Sequence, residues 1–179
     1  MGTLRATAGG QSATVRVNRP RFNDVWNAYP VGMSAPDAYK MVGGNVYEHY
    51  LEKPDRYANA CALRLSRAFN YGGLTIQRGP GAYKLRGGDG KAYIMRVSDM
   101  LPFVKQQFGT PDLTIRGSAQ SQMTQLAGKK GIVIFAVSGW NDATGHVTLW
   151  NGRDCGDHCY FVHDQPGVTT KEVLYWELK

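Results

Sequence analysis

Six apolar residues run without a break from Ile132 to Val137, and this stretch constrains the fold more than any other in the chain. A continuous apolar run of that length reads as a buried central strand. His146–Trp150 then alternates, with His146, Thr148 and Trp150 facing one way and Val147 and Leu149 the other. Asn151-Gly152 follows as a hairpin signal. Further strands are expected at Tyr160–His163 and Val173–Leu178, with shorter strand-like pieces between the glycines of 74–95. The earlier chain has a different period. Phe22, Val25, Trp26 and Tyr29 recur at helical spacing until Pro30. Helices are also expected over 36–50, interrupted by Gly43-Gly44, over 60–69, over Val97–Phe108 around Pro102, and over Ser118–Leu126. Helices first and an antiparallel sheet afterwards make an α+β layout.

A length of 179 residues suits one domain with its own core. Residues 1–17 are small, polar and weakly patterned, and read as a flexible N-terminal extension. Residues 18–179 read as a single domain. No apolar run approaches the roughly 20 residues of a membrane helix. The N-terminus carries no apolar core of the signal-peptide kind, so export is expected by a route without a cleaved signal. The net charge of +7 favours polyanionic surroundings, cell wall among them, or serves solubility alone. The basic residues are scattered and not interleaved with aromatics, which disfavours nucleic acid as a partner.

The chain has three cysteines, and an odd number leaves one unpaired. Cys155 and Cys159 are neighbours in sequence, whereas Cys61 stands alone. Cys155-Gly-Asp-His-Cys159 admits a short disulfide, which needs an oxidising compartment. It also admits zinc held with His158, but no fourth ligand is evident. Cys61 falls in the first turn of the helix over 60–69, with Asn59 as its cap and with Leu65, Ala68 and Phe69 on its face. A thiol attacks carbonyls as the thiolate, and both a helix N-terminus and a nearby imidazole favour that anion. His146 opens a strand behind Gly145 and is the best-placed base of the four histidines. If Asn151-Gly152 closes a two-residue turn, His146 lies opposite Asp157, which would fix its tautomer. A bulge would break that register, leaving Asp154 or Asp142 as substitutes. Cys61 as an inert core cysteine and His146 as an edge histidine are the plainer alternatives. The combination of the three residues favours nucleophilic catalysis.

Three segments resemble one family: Asn59-Ala-Cys61-Ala-Leu-Arg-Leu-Ser66, Gly145-His146-Val-Thr-Leu-Trp150-Asn-Gly152 and Cys155-Gly-Asp157-His-Cys159-Tyr160. Arg21-Phe22-Asn23-Asp24-Val25-Trp26-Asn27-Ala28-Tyr29-Pro30 belongs to the same pattern. Together they resemble the fourth family of type VI secretion amidase effectors, from about Asn18 to the C-terminus. The resemblance implies a papain-like, NlpC-type fold with Cys61 as nucleophile, His146 as base and Asp157 between two disulfide-forming cysteines. It implies cleavage of the γ-D-glutamyl–meso-diaminopimelate bond of peptidoglycan after delivery to a rival's periplasm by a type VI carrier. A cognate immunity protein is expected to block the site. No metal or organic cofactor is expected. The Cys61 N–H is expected to serve the oxyanion, and Trp140 and Asn141 to line the substrate cleft. The rival readings are an acyltransferase or deamidase acting on protein, and a non-enzymatic module binding cell wall.

Overall fold

The computed structural model describes residues 2–8, 11–17, 19–140 and 145–179. It opens on an antiparallel pair, β1 (Gly2–Ala8) and β2 (Gln11–Val17), in register from Gly2 opposite Val17 to Ala8 opposite Gln11. The reading of 1–17 as weakly patterned misses these strands. Their signal is present but faint: Thr3, Arg5 and Thr7 alternate with Leu4 and Ala6, and Gly9-Gly10 is a hairpin dipeptide.

Five α-helices precede the main sheet. Helix α1 (Phe22–Ala28) ends ahead of Pro30. Helix α2 (Ala35–Val42) is capped by the Ser34 hydroxyl, which accepts from the Asp37 N–H at 3.2 Å. Helix α3 (Gly44–Glu52) follows with Gly43 alone between, where φ is 66° and a side chain would be strained. Helix α4 (Cys61–Tyr71) is the most buried, with nine of its eleven residues in the interior. A short antiparallel pair, β3 (Lys84–Arg86) and β4 (Ala92–Ile94), leads to α5 (Val97–Phe108), which keeps Pro102 within it.

The remaining chain builds the four-stranded antiparallel sheet: β5 (Leu113–Ile115), β6 (Gly131–Ser138), β7 (Gly145–Trp150) and β8 (Thr169–Glu177), with α6 (Ala119–Leu126) after β5. The strand order is β5-β8-β6-β7. The apolar run therefore lies between two neighbours, and β7 forms an edge. One sheet face carries Ile132, Ile134, Val147, Leu149 and Trp176 against Leu65 and Phe69 of α4. Burying a side chain such as Leu65 or Phe69 contributes about 1.5–3 kcal/mol. The other face carries Val133, Phe135 and Tyr175 against Leu126 of α6 and Phe161. Helices α2 and α3 pack on Leu63 in a third cluster. Helix α4 is thus clamped between the sheet and the N-terminal helices.

The strand expected over Tyr160–His163 does not form; the segment bends. Its polar groups find side chains instead of a ladder. Thr170 Oγ1 donates to the Tyr160 carbonyl and also pairs with His163 Nε2 at 2.8 Å.

Candidate active site

Cys61 is the first residue of α4, carries a free thiol and is 2% exposed. The Asn59 carboxamide accepts the Cys61 N–H at 3.1 Å, so it caps the helix as expected, although the formal boundary residue is Ala60. One consequence corrects the sequence expectation. The N–H assigned to the oxyanion is already engaged, and an oxyanion reaches it only by displacing the Asn59 side chain.

His146 is the second residue of β7 and is 1% exposed. A Cβ on the preceding Gly145 would lie 2.3 Å from the Phe135 carbonyl oxygen, so only glycine lets β7 approach β6 this closely. The His146 Nε2 pairs with Asp157 Oδ1 at 3.0 Å. Tyr160 stands edge-on to the imidazole, with ring centroids 4.7 Å apart. The His146 Nδ1 is buried and has no partner at full hydrogen-bond geometry. It is the ring nitrogen left for the Cys61 thiol.

Asp157 reaches His146 by a route different from the expected one. The hairpin is longer than two residues: Asn151 N–H donates to the Asp154 carbonyl at 3.0 Å, and Trp150 pairs with Cys155 rather than Arg153. Gly156 N–H then donates to the Leu149 carbonyl at 2.8 Å, and the ladder ends. Extending this register puts Asp157 opposite Thr148, two residues beyond His146 on the same face. The Cys155–Cys159 disulfide, with Cα atoms 5.5 Å apart, closes the loop that carries Asp157. The same bond takes up the two thiolates that a zinc site would require. Asp154 is exposed and plays no part, whereas Asp142 and Asn141 lie outside the described residues.

Three residues that sequence reasoning passed over complete the site. Arg64 Nη1 pairs with Asp157 Oδ2 at 3.3 Å, and its Nη2 donates to the Met33 carbonyl at 2.9 Å. The Tyr29 hydroxyl meets Thr148 Oγ1 at 3.3 Å. The signals were spacing signals: Arg64 is three residues after Cys61 on one helix, and Thr148 two after His146 on one strand.

The charges of the site support one another. Burial works to lower the His146 pKa, but the Cys61 charge, the hydrogen bond that the ring donates to Asp157, and the Asp157 charge raise it to about 9. Burial works to raise Asp157, but its hydrogen bond to His146 and the His146 and Arg64 charges hold it below the usual carboxylate range. The His146 proton therefore stabilises the fold fully below the ordinary value of 6.5, and that contribution is lost as pH rises through about 9. The Asp157 contribution is present above the usual carboxylate range and is lost as pH falls through its depressed value. Replacing Cys61 by Ala leaves burial less opposed. The NMR titration midpoint of the His146 ring should then fall by at least about one unit. An unchanged midpoint would mean that the sulfur does not act on the ring.

Two cavities flank the site. One, of about 670 Å³, is lined by Asn59, Trp140, His158, Tyr160, His163 and Asp164. The other, also about 670 Å³, runs past Met33, Ser34, Arg64 and Asp157. Asn59, His158 and Tyr160 border both, so the two form arms of one groove that reaches Asp157, while Cys61 and His146 are buried and line neither arm. Trp140 stands edge-on to Tyr160 at 4.9 Å and to His163 at 5.7 Å, which places it in the groove wall.

The model for the type VI secretion system amidase effector protein 4 (Tae4) family matches residues 57–176. That span contains α4, the disulfide loop and all but the last residue of the sheet. The chain belongs to this family. Among its solved members, the effector Tae4 from Enterobacter cloacae is 35% identical, with a TM-score of 0.80 over 92% of this chain and 100% of that one. Tae4 from Salmonella typhimurium, solved in complex with the immunity protein Tai4 from Enterobacter cloacae, is 35% identical with a TM-score of 0.79, covering 90% of this chain and 100% of that one. The Tae4–Tai4 complex of Enterobacter cloacae gives 36% identity and 0.79 over the same shares. Among curated protein sequences none matches the chain. Family membership makes the chain an amidase effector of type VI secretion with a papain-like α+β fold. This sets aside the non-enzymatic binding module and the protein-directed acyltransferase as readings of the chain.

Proposed function

We propose that Cys61, His146 and Asp157 hydrolyse the γ-D-glutamyl–meso-diaminopimelate bond of peptidoglycan stems in the periplasm of a target cell. The observation that carries the residue assignment is the buried line from Asp157 through His146 toward Cys61, with the aspartate 3.0 Å from the imidazole. The Cys61 thiolate attacks the γ-carbonyl carbon, forming a carbon–sulfur bond. The tetrahedral centre collapses as the carbon–nitrogen bond breaks, and the leaving amine takes the proton from the His146 ring. The neutral imidazole then removes a proton from water, whose oxygen attacks the thioester carbon; the carbon–sulfur bond breaks, which releases the D-glutamyl γ-carboxyl group and returns the electron pair to the Cys61 sulfur. Asp157 keeps the ring oriented throughout. The open groove suits an extended peptide with charged groups at intervals. The disulfide suits an oxidising compartment, which favours the periplasm over the cytoplasm. Two of the related effectors were solved with Tai4 bound, and a cognate immunity protein is expected to cover this groove.

Digesting purified diaminopimelate-containing muropeptides and weighing the fragments tests the assignment. The expected products are a fragment ending in D-glutamate and a peptide with a free diaminopimelate amine. Intact stems, or a cut at another bond, would contradict it.

A further inference from the structure

Arg64 is a buried cation that the reaction described above does not use. Its side chain is 9% exposed and that of Asp157 is 5% exposed. Two anchors fix the guanidinium: Asp157 Oδ2 at 3.3 Å and the Met33 carbonyl at 2.9 Å. The two oxygens of Asp157 are thereby divided, Oδ1 to His146 and Oδ2 to Arg64. Arg64 and Cys61 also share one rigid helix, one turn apart, so the nucleophile and this cation move together.

The charge count shows what the arginine does. The reactive form of the site holds two anions, the Cys61 thiolate and Asp157. It holds one catalytic cation, the His146 imidazolium. Alone, these three sum to minus one inside the protein, where an unbalanced charge is costly. Arg64 brings the sum to zero, and a guanidinium stays protonated over the whole working range of pH. The other titratable groups facing the cluster do not alter this count. Tyr29 after α1, Tyr39 on α2 and Tyr160 beyond the disulfide are all held neutral, burial being the first cause in each. His158 and His163 stand further out, in the groove wall. Without Arg64 the buried site would relieve its charge by taking up a proton. On Cys61 that proton quenches the nucleophile, and on Asp157 it removes the anion that holds the imidazolium.

We propose that Arg64 is a positioning residue of the amidase, which keeps the Cys61–His146 pair in its charged, reactive form by balancing Asp157. The proposal rests on the assignment of Cys61, His146 and Asp157 as the reacting set.

The test is the pH dependence of Cys61 alkylation by iodoacetamide in the full chain with its disulfide intact, which needs no substrate. In Arg64→Met, the pH of half-maximal reactivity should rise by about one unit or more, and alkylation below it should slow about tenfold. Arg64→Lys, which keeps a charge, should shift it less. Hydrolysis by Arg64→Met should lose kcat with KM nearly unchanged. A folded Arg64→Met whose alkylation profile superimposes on that of the parent would overturn the proposal. If Arg64→Met does not fold, Arg64→Gln, whose amide can still donate to the Met33 carbonyl, takes its place with Asp157 kept. Its half-maximal pH should likewise exceed that of the parent, and a superimposable profile would overturn the proposal. Retained hydrolysis by Cys61→Ala would instead mean that the reacting set is wrongly assigned, an outcome separate from the Arg64 profile.

Discussion

Cys61→Ala should abolish stem-peptide hydrolysis, lowering kcat by about 10⁴-fold or more. Alanine removes the one atom that forms a bond to the substrate, and no other free thiol exists to replace it. The packing change is small, because Cys61 lies in the main core cluster and alanine keeps its Cβ. The urea midpoint should therefore stay close to that of the parent, so loss of activity will not reflect loss of fold. Lysis on periplasmic expression should disappear with the same substitution. Hydrolysis at the parental rate by a folded Cys61→Ala protein would remove covalent catalysis from the account.

Asp157→Ala should lower kcat/KM by about 10³-fold, within the range for groups that set a general base. It removes the partner at 3.0 Å from His146 and leaves Arg64 without its carboxylate. The ring then loses both its orientation and part of what holds its proton. Asp157→Asn should cost less, because the amide oxygen can still accept the Nε2 proton. Reducing the Cys155–Cys159 disulfide should act in the same direction as Asp157→Ala, since that bond folds the loop that carries the aspartate. If Asp157→Ala keeps parental kcat/KM, the aspartate is structural only. Steady-state kinetics on a defined muropeptide measures all three.

How far the sequence carried the fold depended on how local each signal was. Helix α4 was legible to within two residues, because its apolar face and its cap lie within one short segment. The central strand was legible for the same reason, as an unbroken apolar run. The pairing of His146 with Asp157 was anticipated through a register that the structure does not have. The aspartate sits just past the last ladder bond, in a loop closed by a disulfide, where strand counting no longer applies. The expected strand at Tyr160–His163 failed similarly, since Thr170, on β8, takes its polar groups. The opening hairpin was missed because small polar residues blur a two-residue period. Arg64 was visible in the Asn59–Ser66 motif, yet its role depends on Asp157, 93 residues later. Asn59 shows the limit from the other side: the cap was read correctly, and its competition with an oxyanion emerged only from the geometry.

The central claim is that the Cys61 sulfur and the His146 ring act as one charged pair. It is tested most directly by the rate at which iodoacetamide alkylates Cys61 at pH 6, in the parent and in His146→Ala. An unassisted thiol is almost fully protonated at that pH, whereas a paired one reacts as the thiolate. The parent should react about a hundredfold faster than the variant. Equal rates in two folded proteins would contradict the account.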